Sequence, residues 1–509
     1  MTRLLLVFAA VLPLGRPAAA QDVERGRVLY DTWCAACHGA DGAGDGWAAA
    51  YMLPRPRDFT RAVYQVRTTA SGELPTDANM RRVIDEGMPG TAMPGWRSRL
   101  GAAERDAVIA YLKTFSRFFD GPAPDALSLG RAPGGGADAV AEGRAVYEQL
   151  ECYRCHGADG RGDGPSAPTL TDDWDFPIRA ADLTQRWRFN GGGTVEQIFA
   201  RLRTGLDGTP MPSFSDVIEG GVITEEQLWR VAQYVHSLSP REPVVREVIR
   251  ARLVAGPLPA GPDDTLWNGV EPAWVPLVGQ IIVAPRWFAP MVSGVFVQAV
   301  HDGSRLALQL TWSDPTRSPD PAWDEWLARV AATMTDADGP LMTRQGPDRL
   351  HVQFPVTVAA GGTMPYFLGG DARMPVRLWA WHGAENQLVE GLGRGLGTLE
   401  PDGSADVTHQ SAWRDGAWRL QLSRALVTGD TTAGPQFIPG TAVPVAFYAA
   451  DGSNGEDAMR GAVSAWYAIY LDVPTPRTVY VLPLVAAFVT AGLGVLVIRY
   501  AQREHRGAA

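Results

Sequence analysis

Two short segments carry the residues with the most definite chemistry in this chain. Cys34-Ala35-Ala36-Cys37-His38 and Cys152-Tyr153-Arg154-Cys155-His156 both read Cys-x-x-Cys-His. At this spacing two thiols form thioethers to the vinyl groups of a haem, and the adjacent histidine is held beneath the iron as proximal ligand. The motif predicts two covalent haem c groups. Cys34 and Cys37 attach the first and His38 ligates it; Cys152, Cys155 and His156 do the same for the second. A single such motif could also be a zinc half-site or a redox dithiol. A zinc site needs further ligands of this kind, and the chain has only these four cysteines. None is left for a structural disulfide.

Spacing also selects the distal ligands. Met211 lies 55 residues after His156, and Met93 lies 55 after His38, whereas Met88 lies 50 after it. Met93-Pro94-Gly95-Trp96 matches Met211-Pro212-Ser213-Phe214. Methionine usually serves as core filling, but two copies in one register point to ligation. A thioether opposite histidine favours ferrous iron and raises the reduction potential. Six-coordinate iron has no open position for a substrate, so these sites pass single electrons. His236, in the closing helix of the second unit, is the alternative sixth ligand and is read here as an ordinary surface or core histidine.

These residues must be positioned by a repeat. Gly26-Arg27-Val28-Leu29-Tyr30 matches Gly143-Arg144-Ala145-Val146-Tyr147, each opening a short helix that runs into the cysteines. His38-Gly39-Ala40-Asp41-Gly42 matches His156-Gly157-Ala158-Asp159-Gly160. Each unit closes with a helical pattern, Glu104 to Phe115 and Glu225 to Leu238. Two linkers, Asp120 to Asp138 and Ser239 to Pro262, are rich in Pro and Gly. The chain of 509 residues therefore divides into 21–119, 138–240 and 255–475 with flanking segments.

The flanks concern targeting. Arg3, the apolar run Leu4 to Leu14 and Pro17-Ala18-Ala19-Ala20 make residues 1–20 an export signal cleaved after Ala20. Thr478 to Ile498 is a run of uncharged residues long enough for ~30 Å of hydrocarbon. Arg499, Arg503 and Arg506 follow it, which places 499–509 in the cytoplasm and everything before the helix in the periplasm. The helix lacks His, Met and Cys, so it is an anchor and not a conduit. The net charge of −10 argues against nucleic acid as a partner.

Residues 255–475 read as β structure. Val295 to Val300 and Leu306 to Trp312 flank His301-Asp302-Gly303-Ser304, a hairpin turn. Further strands are expected at His351 to Val358, Val376 to Trp381, Trp418 to Leu422, Ala442 to Tyr448 and Val463 to Leu471, enough for a sandwich.

On these motifs residues 21–240 resemble two class I cytochrome c domains in tandem. The third piece resembles the haem-binding γ subunit of ethylbenzene dehydrogenase and its relatives. The likeness rests on Val300-His301-Asp302-Gly303, Leu310-Thr311-Trp312-Ser313-Asp314, Val352-Gln353-Phe354-Pro355, Pro365-Tyr366-Phe367-Leu368-Gly369-Gly370, Val376-Arg377-Leu378-Trp379-Ala380-Trp381 and Ala462-Val463-Ser464-Ala465-Trp466-Tyr467. It implies a β-sandwich holding a non-covalent haem b between Met and Lys and relaying electrons from a molybdenum enzyme of the dimethyl-sulfoxide-reductase type. The lysine has no counterpart, because Lys113 is the only lysine in the chain. Met364 with His382 is the substitute pair; Met374, Met291 and His351 are further candidates.

The expected architecture is multidomain α + β: two small all-α cytochrome c domains, one β-sandwich domain and one C-terminal transmembrane helix (478–498). The expected function is electron relay between a periplasmic or membrane oxidoreductase of molybdoenzyme type and other cytochromes or a quinol-oxidising complex. No catalytic constellation is visible in the sequence. The alternatives are a di-haem enzyme such as a peroxidase or dehydrogenase, which needs an exchangeable distal position, and cytochromes fused to a docking module without haem.

Overall fold

The computed structural model describes residues 18–239, 242–336, 339–340, 344–356, 362–429, 434–474 and 478–507. Most of the export-signal reading lies outside these residues. Two helical units come first. In each, the helix that leads into the cysteines packs across the closing helix: Ala18–Trp33 against Ala102–Lys113, and Ala137–Gln149 against Glu225–Ser237. The crossing is too close for any side chain. A Cβ on Gly26 would run into the Ala107 carbonyl, and one on Gly143 into the Arg230 carbonyl. The matched glycines of the repeat thus set the distance between these two helices.

Capping explains where the remaining helices start. Thr76 with Asn79, Thr194 with Gln197 and Thr224 with Gln227 form reciprocal capping boxes at Asp77–Glu86, Val195–Thr204 and Glu225–Ser237. Tyr30, Phe59, Met80, Ile84, Val108 and Leu112 fill the first core. The second is built on Tyr147, Leu202, Phe214 and the stacked pair Phe199 and Trp229, whose rings lie 3.6 Å apart.

The third unit is one long, folded sheet. From edge to edge its strands run Gln387–Gly393, Val376–His382, Arg349–Pro355, Ala442–Ala450, Tyr467–Leu471, Val248–Leu253, Gly294–His301, Arg305–Ser313, Ala417–Ala425 and Thr408–Arg414, with the short Glu400–Pro401 beyond the first. Ala442–Ala450 changes sides midway. Ala442 to Val445 pair with the Tyr467 strand, and Ala446 to Ala450 with the Arg349 strand. A strand shared in this way lets the two halves face each other. Trp381 meets Trp312 at 5.6 Å and Trp418 at 4.8 Å between ring centres, inside one core contributed by both halves.

The hairpin at Asp302-Gly303 forms as expected: Asp302 Oδ1 accepts from the backbone N–H of Ser304 and Arg305, and Gly303 takes φ 92°. Two expectations need correction. The stretch Ser239 to Pro262 is not simply a linker, because Val248–Leu253 lies centrally in the sheet, parallel to both neighbours. Flanking prolines and arginines hide a strand whose buried residues, Ile249 and Ala251, alternate with exposed ones. The Val463 to Leu471 strand is two strands, Ala462–Val463 and Tyr467–Leu471.

An unforeseen helix, Asp324–Thr333, leaves the sandwich to form a joint. Trp323, Trp326, Leu327 and Val330 cluster with Trp287 and with Ala167 of the second helical unit, and Tyr51 and Leu53 of the first pack against them. All three units meet at this cluster. The C-terminal helix Thr478–Gly507 contains the one described segment long and apolar enough to cross a membrane, Val481–Arg503.

Candidate functional site: paired haem c pockets

The local frame of each pocket is the same. Tyr30, fully buried, donates to the Gly39 carbonyl at 2.7 Å, and Tyr147 to Gly157 at 2.6 Å. Cys34 and Cys152 stand at the N-caps of one-turn helices, Ala35–His38 and Tyr153–His156, which contain Cys37 and Cys155. The chain leaves each histidine through a glycine at φ 79° or 78°. The turn continues as Gly44-Asp45-Gly46 and Gly162-Asp163-Gly164. Gly46 donates to the Cys37 carbonyl at 3.1 Å and Gly164 to that of Cys155 at 3.2 Å.

Each histidine is fixed by a backbone carbonyl. His38 Nδ1 lies 3.0 Å from the Arg57 oxygen, and His156 Nδ1 lies 3.0 Å from that of Ala181. A carbonyl can only accept, so the proton sits on Nδ1 and Nε2 keeps its lone pair. Burial lowers both imidazole pKa values, which favours the neutral ring. These are the properties of a metal-ligating histidine with a second hydrogen bond that orients it. Burial pushes the Cys34 thiol up to about 12 and the Cys152 thiol up to about 11. Neither thiol has the depressed pKa through which a redox dithiol works. The residues present fit haem c. Once attached, it supplies a one-electron Fe(III)/Fe(II) couple.

The two methionine loops superimpose hydrogen bond for hydrogen bond. Met93 N donates to Thr91 Oγ1 at 3.1 Å, and its carbonyl accepts from Met88 N at 3.0 Å. Met211 N donates to Thr209 Oγ1 at 3.3 Å, and its carbonyl accepts from Leu206 N at 3.1 Å. Met88 therefore has leucine as its counterpart, and Met93 and Met211 are the equivalent pair. His236 is half-buried on the closing helix.

The sequence reading missed a further repeated element, Arg55-x-x-Asp58-Phe59-Thr60 and Arg179-x-x-Asp182-Leu183-Thr184. It holds the histidine-binding carbonyls, and Asp58 and Asp182 cap it identically, each accepting from a threonine N–H at 2.9 Å. Each copy also faces the next unit. Arg55 lies over Phe176 at 4.8 Å and Arg57 over Trp174 at 4.9 Å. Arg179 lies over Trp323 and Trp326 at 3.9 and 4.2 Å, and Asp182 Oδ2 accepts from Ser313 Oγ at 2.6 Å. The repeated spacing R-x-x-D-x-T was the available signal. The element that holds each histidine thus contacts the following unit, and the first unit's methionine loop also reaches the second, with Gly90 against Arg188.

The third unit holds a cavity of about 140 Å³ lined by Arg349, His351, Gln353, His382 and Tyr448, among others. His351 Nε2 is buried without a partner, and burial beside His382 and Arg349 pulls its pKa down to about 3. His382 Nε2 is engaged by Arg349 Nη1 at 2.9 Å. Met364, Met374 and Met291 do not line this cavity. Met291 lies instead at the junction with the second unit, where its carbonyl accepts from Arg188 at 3.2 Å. The cavity is smaller than the ~300–1,000 Å³ of common ligand pockets, and the pair Met364 and His382 is not assembled around it. Among the described residues no Met and His pair is assembled there as a ligand set for a haem b, and no step is routed through one.

Comparison with known proteins agrees with this geometry. Residues 21–112 match the family model for cytochrome c oxidase, cbb3-type, subunit III, and residues 140–239 match the model for cytochrome c. The chain is 29% identical over 209 residues to a Haloferax mediterranei protein named for the heme subunit of a respiratory nitrate reductase; the match covers 41% of this chain and 67% of that one. It is 27% identical over 232 residues to the chlorate reductase subunit gamma of Ideonella dechloratans, covering 45% of this chain and 86% of that one. A solved structure of a reducing HAO-like protein complex from Kuenenia stuttgartiensis is 40% identical and covers 42% of this chain and 96% of its own, at a TM-score of 0.40.

The two helical units are cytochrome c domains. The chain therefore carries two domains of the electron-transferring class that binds haem c.

Proposed function

We propose that this chain is the di-haem relay subunit of a respiratory oxidoreductase complex of molybdoenzyme type, anchored by its C-terminal helix with the haem domains in the periplasm. One observation carries the reading: two equivalent Cys-x-x-Cys-His turns, each with a matching methionine loop, have their histidine-holding carbonyls on elements that contact the next unit. The ligand sets are Cys34, Cys37, His38 and Met93, and Cys152, Cys155, His156 and Met211. His38 and His156 orient through the Arg57 and Ala181 carbonyls. The methionine loops close the opposite positions, and buried aromatic and arginine contacts exclude water between units. Electrons then move along one chain between an upstream and a downstream protein.

The names of the relatives, a nitrate reductase heme subunit and a chlorate reductase gamma subunit, support a place beside a larger catalytic subunit. The sandwich is the docking module for that partner. The arginines after the apolar helix support the periplasmic orientation.

The enzyme alternative is tested with carbon monoxide. The reduced protein keeps its Soret spectrum unchanged under CO, because both iron sites are six-coordinate. A CO adduct on either haem would replace the relay reading with a peroxidase-like one.

A further inference from the structure

At one end of the sandwich three strands deliver carboxylates to a single point. Asp314 follows Arg305–Ser313, Asp348 precedes Arg349–Pro355 and Asp451 follows Ala442–Ala450. One oxygen from each lies within 4.8 Å of the other two. The three residues are 1%, 0% and 0% exposed. Backbone and side-chain donors hold the cluster in place. Thr316 N reaches Asp314 Oδ1, Ser318 N and Trp418 Nε1 reach Asp348 Oδ2, Gly452 N reaches Asp348 Oδ1, and Ser453 N reaches Asp451 Oδ1.

A separate observation concerns the oxygens these donors leave over. Asp314 Oδ2 and Asp451 Oδ2 are both buried and have no hydrogen-bond partner. Among the described residues no arginine, lysine or histidine pairs with any of the three carboxylates. The nearest candidate, Arg179, gives its Nη2 to Ser453 Oγ at 3.1 Å and lies over two tryptophans. Glu456, also buried, is satisfied by Trp287 Nε1, Met291 N and Asn454 Nδ2 and adds a fourth acidic group nearby. The charge of Arg179 favours Asp451, Glu456 and Asp314, but one guanidinium against four buried acids leaves the ionised cluster with excess negative charge, which burial makes costly.

We propose that Asp314, Asp348 and Asp451 bind a structural calcium ion at this end of the sandwich. Three carboxylates form a hard, all-oxygen donor set. Oxygens that lie within 4.8 Å of one another can reach a single ion with ligands at ~2.3–2.6 Å. Magnesium, which keeps several of its waters, is poorly suited to so enclosed a site. Burial, and then repulsion from the neighbouring carboxylates, pushes Asp348 up to about 7 and Asp314 well above the ordinary carboxylate range. A bound dication holds both ionised. The loops it ties together present Ser453 and Ser313 to Arg179 and Asp182 of the second cytochrome domain. The ion therefore stabilises the face on which that domain rests.

The test uses the full-length, haem-loaded protein in detergent. Metal analysis after dialysis into metal-free buffer should find one calcium per chain. EGTA should lower the main calorimetric transition by about 5 °C or more, and calcium should restore it where magnesium does not. Asp314→Asn and Asp451→Asn should each abolish the response to EGTA. If these variants do not fold, the wild-type metal content and EGTA response decide alone. A wild-type protein without calcium, or with a transition unmoved by EGTA, means that the cluster is held by protons, and the proposal fails. Tight retention of magnesium in place of calcium overturns the assignment equally.

Discussion

Replacement of Met211 by histidine lowers the reduction potential of the second haem by some tenths of a volt, within the ~0.8 V span that axial ligands control, and leaves the first haem almost unchanged. Thioether sulfur favours ferrous iron, and a second imidazole favours ferric iron. The Met211 loop is pinned at both ends. Met211 N is tied to Thr209 Oγ1, and Phe214 N donates to the Leu202 carbonyl at 2.8 Å. A histidine placed there therefore stays near the iron. Spectroelectrochemical titration should show two waves moving apart, with loss of one of two Met–iron charge-transfer bands. Met93→His should do the same for the first haem. Met88→Leu should shift neither wave, because its counterpart in the second domain is already Leu206. A change in potential with Met88→Leu and none with Met93→His would reverse the ligand assignment.

Arg67→Ala is expected to destabilise the contact between the cytochrome domains by ~3–5 kcal/mol, the usual cost of breaking a buried ion pair. Arg67 is fully buried, 2.6 Å from Asp207 Oδ2. It also donates to the carbonyls of Tyr64, Ala70 and Thr204 at 2.8, 3.0 and 2.9 Å. Removal takes the Arg67 donor from the Tyr64 and Thr204 carbonyls, leaves the Ala70 carbonyl with only Glu73 N–H, and leaves Asp207 with only Ser71 and Gly72. Lysine cannot replace the planar fork, so Arg67→Lys should recover little. Thermal unfolding followed by Soret circular dichroism should show an earlier transition of the second domain. Thr204 lies just before the Met211 loop, so weakening of the second Met–iron band should accompany it. Unchanged melting would mean that the two domains are stabilised independently.

The haem residues were legible because their chemistry is local. Cys-x-x-Cys-His is contiguous, and Met93 could be told from Met88 by register alone. The structure adds the reason for that register: a threonine two residues before each methionine turns the loop. The hairpin at Asp302-Gly303 was equally local. What escaped detection depends on tertiary context. Val248–Leu253 is surrounded by exposed, charged neighbours and becomes a central strand only because two distant strands flank it. Gln387–Gly393 contains glycines that read as loop. The Asp324–Thr333 helix follows a proline-rich turn, and its tryptophans find partners in both cytochrome domains. The Arg-x-x-Asp-x-Thr element repeats in the sequence, but its role in docking is visible only once Trp174 and Trp323 are placed. Met364 and His382 came from family resemblance instead of local pattern, and of the two only His382 lines the cavity.

The most direct test of the account is haem type and stoichiometry. Full-length protein from a host that matures c-type haem is examined by the pyridine haemochrome spectrum before and after acid-acetone extraction. The account predicts two covalent haems c per chain and none extracted, falling to one covalent haem in a Cys152→Ala, Cys155→Ala variant. A third, extractable haem would contradict it and make the sandwich a redox centre in its own right, and a single covalent haem in the wild type would contradict the paired pockets.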